Sequence, residues 1–150
     1  MKIAIEIDIN ASPEEVFYWL GDPTRAMRWM TSVTRTEYIH EAPDMVGTTF
    51  REYVEEDGQG TELQGVVKEF VPNERMGFQL EGEHNKVETV FTLTETKEGT
   101  HLRQDINLHF KGITRLMSIL FGAAFKKKII GQSRREFATL KQLCEGGVSQ

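Results

Sequence analysis

One cysteine, four prolines and no long apolar run already limit what this chain can be. A lone thiol, Cys144, leaves no internal disulfide, so a disulfide scaffold is excluded. It falls on the apolar side of the last predicted helix, where a cysteine serves as a small buried hydrophobe rather than a reactive thiol. No apolar stretch approaches the roughly 18–20 residues that a membrane span needs. The opening residues MKIAIEIDI alternate instead of forming the apolar block of a secretory signal. The expectation is therefore a cytoplasmic protein without stable membrane insertion. Motifs for metal or nucleophile chemistry are missing as well. His40, His84, His101 and His109 lack ligand-like spacing, and there is no His-Glu-x-x-His, Cys-x-x-Cys or Gly-x-Ser-x-Gly. Gly58-Gln59-Gly60 is too short for a phosphate loop. Neither a metal nor a cofactor is expected. A dispersed acid/base site needs none of these motifs and stays open.

What is present fits one ordinary globular domain spanning residues 1–150, with 39% hydrophobic and 27% charged residues. The net charge of -5 is unevenly placed. Residues 113–145 carry Arg115, Lys126, Lys127, Lys128, Arg134, Arg135 and Lys141 against Glu136 and Glu145, a net +5 that leaves -10 for the rest. Such a split could guide an anionic ligand or an acidic surface to the helix, or it could be a solvated helix back. An acidic body argues against nucleic-acid binding.

In chain order, Lys2 to Asn10 alternates as a half-buried strand. Ser12, Pro13 and Glu15 form an N-cap, a first helical residue and the third position of a capping box. That helix buries Val16, Phe17 and Leu20 and stops at Gly21; Asp22-Pro23 opens a second short one. Six strands follow, at Thr34–Glu41, Gly47–Glu56, Thr61–Val71, Arg75–Glu83, Lys86–Lys97 and Thr100–Lys111. The turns include Asp57-Gly58-Gln59-Gly60, and Gly65 is a candidate bulge or bend. Short, regular links predict an antiparallel meander.

Ile113 to Glu145 then reads as one long helix, rich in strong helix formers. Its apolar residues occupy two directions. Ile113, Leu116, Met117, Leu120 and Ala124 share one; Ile129, Ile130, Phe137, Leu140 and Cys144 share another, rotated by roughly 160°. A kink or break near Gly122 would reconcile the two and let the first part gate a cavity.

Strand alternation gives a dry set of Phe50, Val54, Leu63, Val67, Met76, Phe78, Leu80, Phe91, Leu93, Leu102, Ile106, Leu108 and Phe110. A one-sided sheet of this size must curl around its cover, the last helix, and a hollow between them is expected. Polar residues break the dry set: Glu52 between Phe50 and Val54, Gln104 between Leu102 and Ile106, Glu69 in step with Val67, and Thr89 before Phe91. A carboxylate in an apolar cavity needs a partner, a raised pKa or a ligand, unless a bulge turns it outward. Glu52 and Gln104 are the candidate polar anchors on one inner wall. Phe50, Phe78, Phe91 and Leu120 would supply apolar contacts, and Trp29 and Tyr38 could touch ligand or simply pack. Whether Tyr38 faces inward depends on a strand parity that the sequence leaves open.

The order strand, two short helices, six strands and long helix resembles the SRPBCC superfamily, the α+β helix-grip fold of START domains, birch-pollen-allergen-like proteins and polyketide cyclase/dehydrase-like proteins. The matching stretches are Ile9-Asn10-Ala11-Ser12-Pro13-Glu14-Glu15-Val16-Phe17, Leu20-Gly21-Asp22, Trp29, Val46-Gly47, Val67-Lys68-Glu69-Phe70-Val71-Pro72 and Gly99-Thr100-His101-Leu102. The resemblance implies a curved seven-stranded sheet gripping the helix, with apolar or amphipathic small molecules bound between them. Some members are cyclases or hydroxylase domains; many are carriers or sensors. The leading reading is a carrier or sensor of a hydrophobic small molecule, monomeric or homodimeric. The alternatives are a cyclase/dehydratase-type enzyme using Glu52 or a tyrosine, and a protein whose helix docks on a membrane surface or partner.

Overall fold

The computed structural model describes residues 1–56 and 58–146, the side chain of Glu56 aside. Strand β1 (Lys2–Ile9) leads into α1 (Pro13–Leu20) and α2 (Pro23–Ala26). Strands β2 (Val33–His40), β3 (Thr49–Glu56), β4 (Gln59–Val71), β5 (Arg75–Glu81), β6 (Asn85–Glu95) and β7 (Thr100–Phe110) follow, and α3 (Ile113–Glu145) ends the order. The sheet order β1-β7-β6-β5-β4-β3-β2 is antiparallel throughout. Its edges, β1 and β2, do not pair, so the α+β helix-grip sheet stays open. Asp57 of the predicted hairpin loop lies outside the described residues.

Local chemistry sets the element ends. Ser12 accepts from the Glu15 N–H at 3.2 Å, with Pro13 at the start of α1. Asp22 caps α2 by accepting from the Thr24 N–H at 2.8 Å. At the start of β7, a Cβ on Gly99 would fall 2.2 Å from the Ile9 carbonyl oxygen, so only glycine fits. Its neighbour Thr100, fully buried, donates its hydroxyl to the Ala11 carbonyl at 2.7 Å. The Gly99–Leu102 stretch thus ties β7 to the corner between β1 and α1.

The main core cluster lies where α1, α2 and the second half of α3 cover the sheet, and a smaller one joins Phe50, Val67 and Leu80. Val16, Leu102, Phe137 and Leu140 are essentially inaccessible. Phe137 stacks toward Trp29 and Phe91 with ring centroids 6.2 and 6.4 Å apart. Each such aromatic or aliphatic side chain contributes about 1.5–3 kcal/mol by leaving water. Cys144 is buried as expected, and burial, with Glu15 and Glu145 nearby, pushes its thiol up to about 12.

Two local expectations are corrected. Gly65 is no bulge: it pairs with Phe50, whose ring lies over it so closely that a Cβ would sit 2.3 Å from the ring. The irregularity comes two residues later, between Val67 and Glu69. It reverses the parity of β4, turns Glu69 outward and leaves it paired with Arg75 at 3.0 Å.

The second correction concerns α3, which runs unbroken from Ile113 to Glu145, with no break at Gly122. With no proline, Gly122 and Gly131 weaken the helix without ending it. The phase difference is therefore not absorbed. It points the first apolar face away from the sheet, so that Ile113, Leu116, Ile119 and Leu120 are exposed.

Candidate functional site

Register fixes which side chains look into the fold. Glu52 of β3 lies opposite Thr36 of β2 and Leu63 of β4, on the same face as Phe50. It is only 9% exposed. With Trp29, Met30, Met76, Phe78 and Phe91 it lines an apolar chamber of about 30 Å³ between the sheet and the α1–α2 cap. Among the described residues its carboxyl has no hydrogen-bond or ion-pair partner within the protein. Burial pushes its pKa up to about 7, and the negative charge of Glu136 adds in the same direction.

Glu136 was not anticipated as a site residue. It reaches in from α3, equally buried, and its Oε2 accepts from the Thr31 N–H at 2.8 Å. Gln132 donates to its Oε1 at 3.4 Å and to the Ser32 hydroxyl at 3.2 Å. The loop after α2 is thereby tied to the second half of α3. A signal was available in the sequence: Glu136 lies one turn before Leu140, on the flank of the buried stripe.

Gln104 does face inward, opposite Phe91 and Ile5. It lines a different chamber, of about 250 Å³, beneath the middle of α3 with Thr89, Phe125, Ile129, Gln132 and Ser133. β4, β5 and β6 separate it from Glu52, so the two are not neighbours on one wall. Their chambers share no lining residue; Gln132 links them, lining the second chamber and holding Glu136. The single hollow expected from the sequence is thus two unequal ones. A wider depression, about 630 Å³, lies elsewhere and is lined by Phe50, Glu62, Gln64, Glu81 and Lys111. It is open to solvent, with polar and apolar lining in about equal parts.

The other predicted residues divide. Phe50, Phe78 and Phe91 wall the Glu52 chamber, with ring centroids 6.1 and 6.2 Å apart along the series. Trp29 lines it too, while its N–H donates to the Trp19 carbonyl at 3.0 Å, a packing role for its polar end. Tyr38 pairs with Phe50, which puts the Thr36 and Tyr38 parity inward. It remains partly exposed outside both chambers; burial and the charges of Asp22 and Glu41 raise its pKa. Leu120 is corrected: it is 68% exposed and reaches neither chamber, because the unbroken helix turns it outward. Among the described residues no cluster of His, Cys, Asp and Glu could hold a metal ion.

A carboxyl that is half protonated near neutral pH, in an apolar chamber and facing a second carboxylate, can either donate or accept a proton. The same group can anchor a polar atom of a bound molecule.

Known structures share this architecture. A protein of Thermus thermophilus superposes with a TM-score of 0.82 at 16% identity, covering 99% of this chain and 100% of that one. A START superfamily protein from Mycobacterium smegmatis gives 0.79 at 18% identity, covering 98% and 99%. The di-domain ARO/CYC StfQ of the steffimycin biosynthetic pathway gives 0.80 at 13% identity, covering 98% of this chain and 52% of that one. At these identities the likeness shows the fold alone. No curated protein matches the chain. The family model for polyketide cyclase / dehydrase and lipid transport matches residues 1–145, and the chain belongs to that family within the SRPBCC superfamily.

Proposed function

We propose that this protein binds an amphipathic small molecule between the sheet and its helices, as a carrier or sensor. The apolar part would lie against Trp29, Phe50, Phe78 and Phe91, and a polar group would meet Glu52. The observation that carries this reading is Glu52 itself, a buried carboxyl without a protein partner in an apolar chamber. A group left so is costly unless something else meets it. A chamber of about 30 Å³ has room for little more than one water, so a ligand must widen it. The 250 Å³ chamber under α3, where Gln104 and Thr89 offer further polar contacts, lies on the other side of the Gln132–Glu136 hydrogen bond.

Native mass spectrometry of the protein isolated from its own host tests this directly, since a retained molecule would name its chemical class. Glu52→Gln and Glu52→Leu should both weaken binding of that molecule, by roughly 1–3 kcal/mol where a buried partner is left unmatched. Unaltered affinity in both variants would remove Glu52 from the site.

The pKa near 7 favours a second reading, proton transfer in a cyclase- or dehydratase-type reaction. In that case Glu52→Gln would lose turnover while still binding substrate with similar affinity.

A further inference from the structure

The first half of α3 is a surface helix with its polarity reversed. Thr114, Ser118 and Gly122 take the half-buried inner positions. Thr114 donates its hydroxyl to the His84 carbonyl at 2.9 Å, and Ser118 donates to the Arg115 carbonyl at 2.7 Å. Outward stand Ile113, Leu116, Met117, Ile119, Leu120 and Phe121, exposed by 49% to 76%. A soluble helix turns its apolar side to the core. Here that side is continuous and faces solvent, which marks an interaction surface.

Its charge identifies the occupant. From Ile113 to Arg135 there is no Asp or Glu, whereas Arg115, Lys126, Lys127, Lys128, Arg134 and Arg135 all lie in that stretch. Lys126 and Lys127 follow the apolar face directly and are exposed. We propose that the Ile113–Phe125 face, with the lysines that follow it, docks this protein on the surface of an anionic lipid bilayer. An apolar face beside a cationic band is the pattern of a helix lying in the headgroup region. Among the described residues no helix is long and apolar enough to cross a membrane, and the proposed contact is a peripheral one. Pairing of this face with a second copy would bring two cationic segments together with no acidic residue on either to offset them. The proposal goes beyond the cavity reading and does not rest on it.

Vesicle flotation of the full chain tests it, using phosphatidylcholine vesicles with and without phosphatidylglycerol. The protein should float with the anionic vesicles at low salt and much less at high salt, and stay behind with the neutral ones. Ile119→Ser combined with Leu120→Ser should abolish flotation. Lys126→Gln and Lys127→Gln should each weaken it about fivefold. All four side chains are exposed, so thermal unfolding of the variants should match the parent, showing that the fold is kept. Failure to float with either vesicle, equal flotation with both, or variants that float like the parent would each overturn the proposal. So would light scattering that shows a dimer which the two serine substitutions dissociate, because the face would then belong to a second copy.

Discussion

At the C-terminal end of α3, Phe137, Leu140 and Cys144 are buried among Trp29, Phe91 and α1. At the N-terminal end of the same helix, Ile113, Ile119 and Leu120 stand in water. Both ends are rich in apolar residues, and both belong to one unbroken helix. What separates them is angle. About 100° per residue accumulates along a continuous helix, so a shift in the apolar pattern becomes a change in which side of the molecule that pattern meets. Hydrophobicity alone does not decide burial; its phase relative to the packed part of the helix does.

Truncating one side chain at each end of α3 should separate the two halves most strongly. Phe137→Ala should lower stability by roughly 3–5 kcal/mol, since it opens a cavity among rings that cannot all collapse. Leu120→Ala should stay within about 0.5 kcal/mol, as expected for an exposed site. Urea denaturation of the two variants reads both values. Similar losses would mean that the N-terminal half is packed against something after all.

Charge sharpens the contrast next, because the packed half of α3 carries Glu136 toward Glu52. The folded protein keeps the Glu52 proton up to about pH 7, against the usual 4.5. Between those values the folded state therefore holds a proton that the unfolded chain has released, and stability falls as pH rises through that window. The cost corresponds to roughly 3 kcal/mol once the carboxyl is fully ionised. Glu52→Gln removes this ionisation, so the variant should gain on the parent as pH rises from about 4.5 to about 7, and little further outside that window. A difference between the two proteins that does not change with pH would mean that Glu52 ionises as if exposed.

The sequence made the element order and strand limits legible because their determinants are local. Alternation in Ile3-Ala4-Ile5, the Ser12-Pro13 start and the Gly99-Thr100 corner act over a few residues, and the strands begin and end within about two residues of expectation. Glu52 was legible for a related reason: β3 keeps its parity from Phe50 onward, so the lone carboxyl had to face the chamber. Glu69 in the same kind of pattern did not, because the bulge after Val67 reversed β4, and bulges leave little trace in composition. Glu136 and the division into two chambers depend on where the second half of α3 lands over the sheet. That placement is decided by packing across more than 100 residues of chain, as the Thr31 to Glu136 contact shows.

The smallest effect lies within the helix. Amides of residues 113–121 should exchange faster with solvent than those of 137–144, because few buried contacts hold the first half in place. Gly122 is the point at which the two halves can be separated. A Cβ there would meet only the Met1 side chain at 3.6 Å, an ordinary contact, so Gly122→Ala fits without strain. Alanine should favour the helix by about 0.8–1 kcal/mol, which corresponds to roughly a fivefold slowing of exchange wherever opening passes through that residue. If the exposed half opens by itself, its amides should exchange well above the rate of 137–144 in the parent and slow in the variant. Those of 137–144 slow as well, since unfolding of the packed core also passes through residue 122. Equal exchange rates in the two stretches of the parent would show that α3 opens as one unit, and the contrast between its halves would then concern surface chemistry but not stability.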